Sequence, residues 1–94
     1  MILLFTFHGI IKFSMWNGMR HYENKNYTKS ILNLERVINY YPKKIGKFYL
    51  LLGMMHYDLN NNDKAIYYIR KAKEINPKHN APKDLLKLIK NNSN

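Results

Sequence analysis

The 94-residue sequence has no cysteine, three prolines, four glycines and only six acidic residues. Without cysteine there is no disulfide and no thiolate metal site, and the redox compartment stays open. The acidic residues are too few and too scattered for catalysis by a pair of carboxylates. The sequence also lacks a glycine-rich phosphate loop and a nucleophile elbow. We therefore predict that the chain is not an enzyme and uses no cofactor or metal.

A long hydrophobic run is also missing. The N-terminal segment MILLFTFHGI is apolar, but His8 and Lys12 interrupt the run well short of the roughly 20 residues that a membrane helix needs. It lacks a basic n-region and an obvious small-residue cleavage site. We expect a cytoplasmic protein, with a signal or anchor segment at residues 1–9 as the alternative.

The sequence does contain an internal repeat with a period of 35 residues. When Lys12–Pro42 is aligned with Lys47–Pro77, ten of the 31 pairs are identical. Composition alone would give roughly two or three identities. The identical pairs are Lys12/Lys47, Phe13/Phe48, Gly18/Gly53, Met19/Met54, His21/His56, Tyr22/Tyr57, Asn26/Asn61, Lys29/Lys64, Ile31/Ile66 and Pro42/Pro77.

The second unit resembles the tetratricopeptide repeat. That family spaces an aromatic residue, Leu-Gly, Tyr, two small residues around a large apolar one, and Pro. The matching residues are Tyr49, Leu52, Gly53, Ala65, Ile69, Ala72 and Pro77, with His56 replacing the Tyr. The first unit matches at Gly18, Ser30, Leu34 and Pro42, and departs at Ser14, Asn17, His21 and Val37. The resemblance implies an all-α fold of antiparallel helix hairpins, stacked as a short right-handed superhelix of about five helices.

Residue spacing supports the same hairpin. Tyr49, Leu52, Gly53 and His56 follow the i, i+3, i+4, i+7 spacing of one helical face. A mid-helix glycine costs about 1 kcal/mol against alanine, so it needs a structural reason. Placed opposite Ala65, Gly53 would let the two helix backbones approach closely.

We predict a single domain. The expected helices span residues 10–24, 27–40, 45–59, 62–75 and 81–91, which gives repeat 1 at 10–42, repeat 2 at 45–77 and a capping helix at 81–91. Residues 1–5 would be the last turn of a preceding second helix, in which case the chain begins inside a longer array. Thr28 and Asp63 are the expected N-caps of the second helices, and Pro82 is acceptable in the first turn of the last helix.

Four histidines remain as candidates for chemistry. His21 and His56 occupy the same place in the two repeats, which suggests a metal pair or a proton switch. No carboxylate or further histidine is spaced to complete a metal site. We favour the interpretation that His21 and His56 each replace the packing Tyr of the family and hydrogen-bond locally, and that His8 and His79 are solvated loop residues.

In this family another face of each first helix lines a concave groove. The positions carried over are Lys12, Met15, Trp16, Met19, Tyr22, Lys47, Leu50, Leu51, Met54 and Tyr57, together with Glu23 and Asp58. Methionine adapts to varied apolar partners, and a Trp in such a strip is a candidate anchor. The alternative is that another repeat, a terminal segment or a second copy covers the strip. Some members clamp a carboxylate terminus with Lys, Asn and Arg, but Met15, Met19 and Leu51 occupy three of those positions.

We therefore predict a non-catalytic scaffold that binds an apolar or amphipathic protein or peptide segment, and no small-molecule substrate. Lys12 and Lys47 would favour a ligand with some negative charge. Self-association stays open. The alternative function uses the net charge of +10 to bind nucleic acid or an anionic surface. Its residues would be Lys43, Lys44, Arg70, Lys71, Lys73 and Lys78; they form no long run and lack the interleaved exposed aromatics that single-strand binding favours.

Overall fold

A computed structural model of the protein describes the backbone of residues 2–43, 46–78, 81 and 83–91, and within these the side chains from His8 onward. The described residues form five α-helices and no strand, which confirms the predicted all-α fold. The helices are α1 (Ile2–Glu23), α2 (Tyr27–Tyr40), α3 (Gly46–Asp58), α4 (Asn62–Ile75) and α5 (Lys83–Asn91). They belong to two compact units, Met1–Pro42 and Lys43–Asn94.

The first unit is an antiparallel hairpin of α1 and α2 that crosses closely at Gly18. A Cβ atom on Gly18 would lie 2.9 Å from Cγ of Leu34, so no larger residue fits without a shift. The Ser30 hydroxyl donates to the Gly18 carbonyl oxygen at 2.6 Å, and Nη1 of Arg36 donates to the buried Ser14 hydroxyl at 3.0 Å. Hydrogen bonds therefore accommodate two serines that depart from the residues of the second unit.

The second unit repeats this crossing between α3 and α4. A Cβ atom on Gly53 would lie 2.6 Å from Cδ1 of Ile69 and 3.2 Å from the Ala65 carbonyl oxygen. The expected close approach of Gly53 and Ala65 is confirmed. Beside it, the buried His56 ring stacks on Tyr68, with ring centroids 5.4 Å apart. A packing role for His56, in place of the Tyr of the repeat pattern, agrees with this contact.

The last helix, α5, packs against α4. Leu85 joins Ala65, Ile69 and Ala81 in a buried cluster. The helix begins at Lys83 rather than at residue 81. Proline disfavours a helical conformation in the residue before it, so Ala81 stays outside the helix even though it is buried. Pro82, expected in the first turn, lies outside the described residues.

The N-terminal segment is part of α1, which runs from Ile2 to Glu23 without interruption. The interpretation of residues 1–5 as the end of a preceding helix is therefore wrong. The segment contains no helix-breaking proline, and Gly9 lies inside the helix. His8 lies on α1 rather than in a loop, and its Nδ1 is 3.0 Å from the Tyr41 hydroxyl; His79 lies outside the described residues. None of the described helices is both long enough and apolar enough to span a membrane.

Both hairpins turn through the same backbone motif. Lys25 and Asn60 adopt left-handed conformations, with φ of 61° and 63°. The following amides, of Asn26 and Asn61, donate to carbonyl oxygens five residues earlier, each at 2.8 Å. The amide of each left-handed residue also donates to the carbonyl oxygen three residues earlier, at 3.0 Å. The two hydrogen bonds together form a Schellman motif. The 35-residue repeat therefore extends to the backbone of the turns.

The expected N-caps are wrong. Helix α2 begins at Tyr27 and α4 at Asn62, so Asn26 and Asn61 occupy the N-cap positions, without a capping side-chain hydrogen bond. Thr28 lies inside α2. Asp63 lies in the first turn of α4, where its charge still interacts favourably with the helix dipole.

Replacing Gly53 or Ala65 by Leu should lower the free energy of unfolding by roughly 1–3 kcal/mol, because either side chain forces α3 and α4 apart. Urea unfolding followed by circular dichroism measures the change. Gly9→Leu is the matched control, since a Cβ atom there meets nothing within 4 Å. If the Gly53 and Ala65 variants unfold with the wild type, the close crossing is not a source of stability.

Lys25→Gly should raise the free energy of unfolding by about 0.5–1 kcal/mol, because a left-handed conformation is costly for an L-residue and free of strain for glycine. Asn60→Gly should gain less, since asparagine tolerates this conformation. Thermal melting compares both with Lys29→Gly, a substitution inside α2 that should cost about 1 kcal/mol. A loss of stability in Lys25→Gly would contradict the assigned turn.

Candidate functional site

On α3, three side chains lie beside the face that packs on α4. Leu50, Met54 and Tyr57 are spaced i, i+4, i+7 and are half-buried. They contact the buried cluster that contains Leu85. Leu88 and Ile89 of α5 contact the same cluster. These three residues are thus neither part of the hairpin core nor fully solvated, and we call them the α3 strip.

A small opening lies at the end of the α3 strip, where the last turn of α3 meets the first turns of α5. Its volume is about 140 Å³, and the residues that line it are Met54, Tyr57, Leu85, Asp58 and Asp84. An engineered cavity of about 150 Å³ accepts benzene. The opening therefore has room for one side-chain-sized group.

In the first unit, Met15, Met19 and Tyr22 occupy the places of Leu50, Met54 and Tyr57 and are likewise half-buried. We call them the α1 strip. The Tyr22 ring also stacks on Tyr27, with centroids 6.1 Å apart. The repeat has therefore placed the same kind of strip on each first helix.

Trp16 lies at the edge of the α1 strip rather than in line with it. One residue turns an α-helix by about 100°, so Trp16 projects well away from Met15 and borders the strip through Met19. It is 57% exposed, its ring lies 6.4 Å from that of Phe13, and the Arg20 guanidinium sits 5.2 Å above it. The indole is thus held in place while most of it stays accessible.

The remaining predicted groove residues differ in exposure. Lys12 and Lys47 are exposed. Leu51, which aligns with Trp16, is only 7% exposed. Because so little of the Leu51 side chain is accessible, Leu51 offers almost no surface to a ligand.

Residues 46–79 match the family model described as Tetratricopeptide repeat. They form a tetratricopeptide repeat. The matched segment includes α3, α4 and the close crossing at Gly53, and the 35-residue period relates it to the first hairpin. No curated protein and no solved structure matches the chain. The match over residues 46–79 suggests a protein–protein interaction module, since tetratricopeptide repeats are typically non-catalytic scaffolds.

The outer face of the tetratricopeptide repeat carries the residues of the alternative function. A shallow depression of about 430 Å³ follows α4 and is lined by Asp63, Ile66, Tyr67, Arg70, Lys71 and Glu74. Nζ of Lys71 lies 3.5 Å from Oε2 of Glu74 and 5.9 Å from the Tyr67 ring centre. Lys43, Arg70, Lys73 and Lys78 are exposed, and Lys44 lies outside the described residues.

Tyr67 is an exposed aromatic residue of this outer face that was not predicted from the sequence. Its spacing of three and four residues from Arg70 and Lys71 indicates that the three side chains share a face. The two acidic residues that line the same depression reduce its attraction for a polyanion. Within the part of the chain that the structure describes, no three His, Asp or Glu side chains converge as metal ligands.

Burial raises the pKa of Tyr49 above its ordinary value of 10.0, nearby Tyr67 raises it further, and Lys71 partly lowers it. The folded protein thus favours the neutral phenol. This contribution to stability is present below about pH 10 and is lost as pH rises through the folded-state pKa.

The free energy of unfolding should therefore fall above about pH 10, and fall less steeply in Tyr49→Phe. Urea titrations at several alkaline pH values measure both slopes. Tyr22→Phe, at a half-buried tyrosine, is the control. Identical slopes in wild type and Tyr49→Phe would show that Tyr49 does not contribute to the alkaline loss.

Proposed function

We propose that the protein is a non-catalytic scaffold that binds an apolar or amphipathic peptide segment along the strips of its first helices. The observation that carries the proposal is the α3 strip of Leu50, Met54 and Tyr57, with the apolar-walled opening at its end. A helix or extended segment docks by placing apolar anchors into such a surface.

The chemistry of the strip residues suits this role. Methionine occupies the middle position of both strips, and its flexible thioether adapts to partners of different shape. Each tyrosine offers a flat apolar ring with a polar tip, a combination that is common in interfaces. Partial exposure leaves each side chain with surface still to bury.

Trp16 supplies the anchor in the first unit. Large aromatic side chains dominate binding energy when a partner desolvates them. The contacts with Phe13 and Arg20 reduce the rotamer freedom of the indole, so less conformational entropy is lost on binding. Lys12 and Lys47, both exposed, would steer a ligand with some negative charge more than they strengthen its binding.

The test begins by selecting peptides from a random phage-displayed library on the immobilised full chain. We expect apolar residues at helical spacing in the selected peptides. For a selected peptide that binds the first unit, Trp16→Ala should weaken binding by about 2 kcal/mol. For a selected peptide that binds the second unit, Met54→Ala should weaken binding. Fluorescence anisotropy with the labelled peptide measures both affinities.

Two matched controls separate this site from other surfaces. Leu32→Ala removes an exposed apolar side chain of α2 that belongs to neither strip, and Lys73→Ala removes an exposed charge of α4. Neither should change the affinity. Binding that depends on Lys71 and Lys73 and disappears at moderate salt would favour the nucleic-acid or anionic-surface function instead.

A further inference from the structure

The opening at the end of the α3 strip combines apolar walls with an acidic rim, although the chain as a whole is strongly basic. Its walls are apolar, formed by Met54, Tyr57 and Leu85, while its rim carries Asp58 and Asp84. The chain has 16 basic and only six acidic residues, and two of those six line this one opening.

From this combination we infer that the opening is a subsite for an arginine side chain of the bound peptide. The inference rests on the proposed function and specifies its ligand. Among the described residues, neither Asp58 nor Asp84 makes an ion pair or a hydrogen bond. Both carboxylates are exposed and available to a ligand.

Each part of an arginine side chain finds a matching group. The aliphatic stem can lie along Met54 while the charged head stays at the rim. The guanidinium can stack on the Tyr57 ring and form charge-assisted hydrogen bonds with a carboxylate. Arginine fits better than lysine, because its planar, weakly hydrated head stacks and binds carboxylates in a bidentate manner.

The two carboxylates are not equivalent. Asp58 ends α3, where the backbone carbonyl groups give the helix a partial negative charge, so a cation is favoured there. Asp84 lies in the first turn of α5, and Lys87 follows it at the i+3 spacing that lets the two side chains interact. Asp58 should therefore contribute more to recognition than Asp84.

The position of the opening also orients the ligand. Lys47 lies near the start of α3 and Asp58 at its end, about 16 Å apart along a helix that rises 1.5 Å per residue. A segment that follows the α3 strip should have its arginine at the Asp58 end, with any acidic residue near Lys47.

The test uses N-acetyl-argininamide as the probe and N-acetyl-citrullinamide as a neutral probe of nearly the same shape. Each is titrated into the full chain labelled with ¹³C at the Met and Leu methyl groups. The arginine probe should shift the Met54 and Leu85 signals, and the citrulline probe should bind about tenfold more weakly or worse. Asp58→Asn should weaken arginine binding about fivefold, and Asp84→Asn should weaken it less.

Asp63→Asn, which removes an exposed carboxylate in the first turn of α4, is the control and should leave the affinity unchanged. Equal binding of the two probes, unchanged affinity in Asp58→Asn, or no shift at Met54 and Leu85 would each overturn the inference. The arginine subsite alone would be refuted if Met54→Ala weakens binding of the selected peptides while the Asp58→Asn variant binds them with wild-type affinity. Selected peptides that do not depend on either strip would refute the proposed function.

Discussion

The close crossing of two helices at a glycine determines the rest of each unit. Gly53 faces Ala65, and Gly18 accepts a hydrogen bond from Ser30 through its carbonyl oxygen. Because these small residues let the two helix backbones approach closely, one face of the first helix packs against the second helix of its hairpin. The α3 strip lies beside that face, so its residues remain partly exposed.

In the second unit, α5 lies at one end of the α3 strip. Leu85 fills the cluster beneath Met54 and brings Asp84 to the rim of the opening that Asp58 also lines. The proposed binding surface is therefore apolar along its length, with two acidic residues at one end. Two of the six acidic residues thus line one opening in a strongly basic chain, which overall composition does not reveal.

Much of the fold could be predicted from the sequence, because a helical repeat leaves a periodic signal. The five helices and the contact of Gly53 with Ala65 follow from spacing and side-chain size alone. The predicted N-caps were wrong because the turn residues adopt a left-handed conformation, as Lys25 does with φ of 61°. Helix α2 therefore begins at Tyr27, two residues earlier than an N-cap at Thr28 would require. Extending the 35-residue period backwards wrongly assigned residues 1–5 to a preceding helix. A repeat predicts the spacing of residues but does not show where one helix ends and the next begins.

The candidate site was less predictable, because exposure depends on what packs against a face and spacing does not report that. Trp16 and Leu51 hold the same position in the repeat, yet one is 57% and the other 7% exposed. The acidic rim depends on where α5 packs, and no local pattern around Asp84 indicates that position.

The most direct measurement of the central claim is a methyl spectrum of the full chain labelled only at its methionines, recorded with and without a selected peptide. Met15, Met19 and Met54 lie on the two strips, whereas Met55 is fully buried. We predict that the methyl signals of the strip methionines shift in proportion to the bound peptide and that the Met55 signal does not shift. A peptide that binds while the signals of Met15, Met19 and Met54 remain unchanged would contradict it.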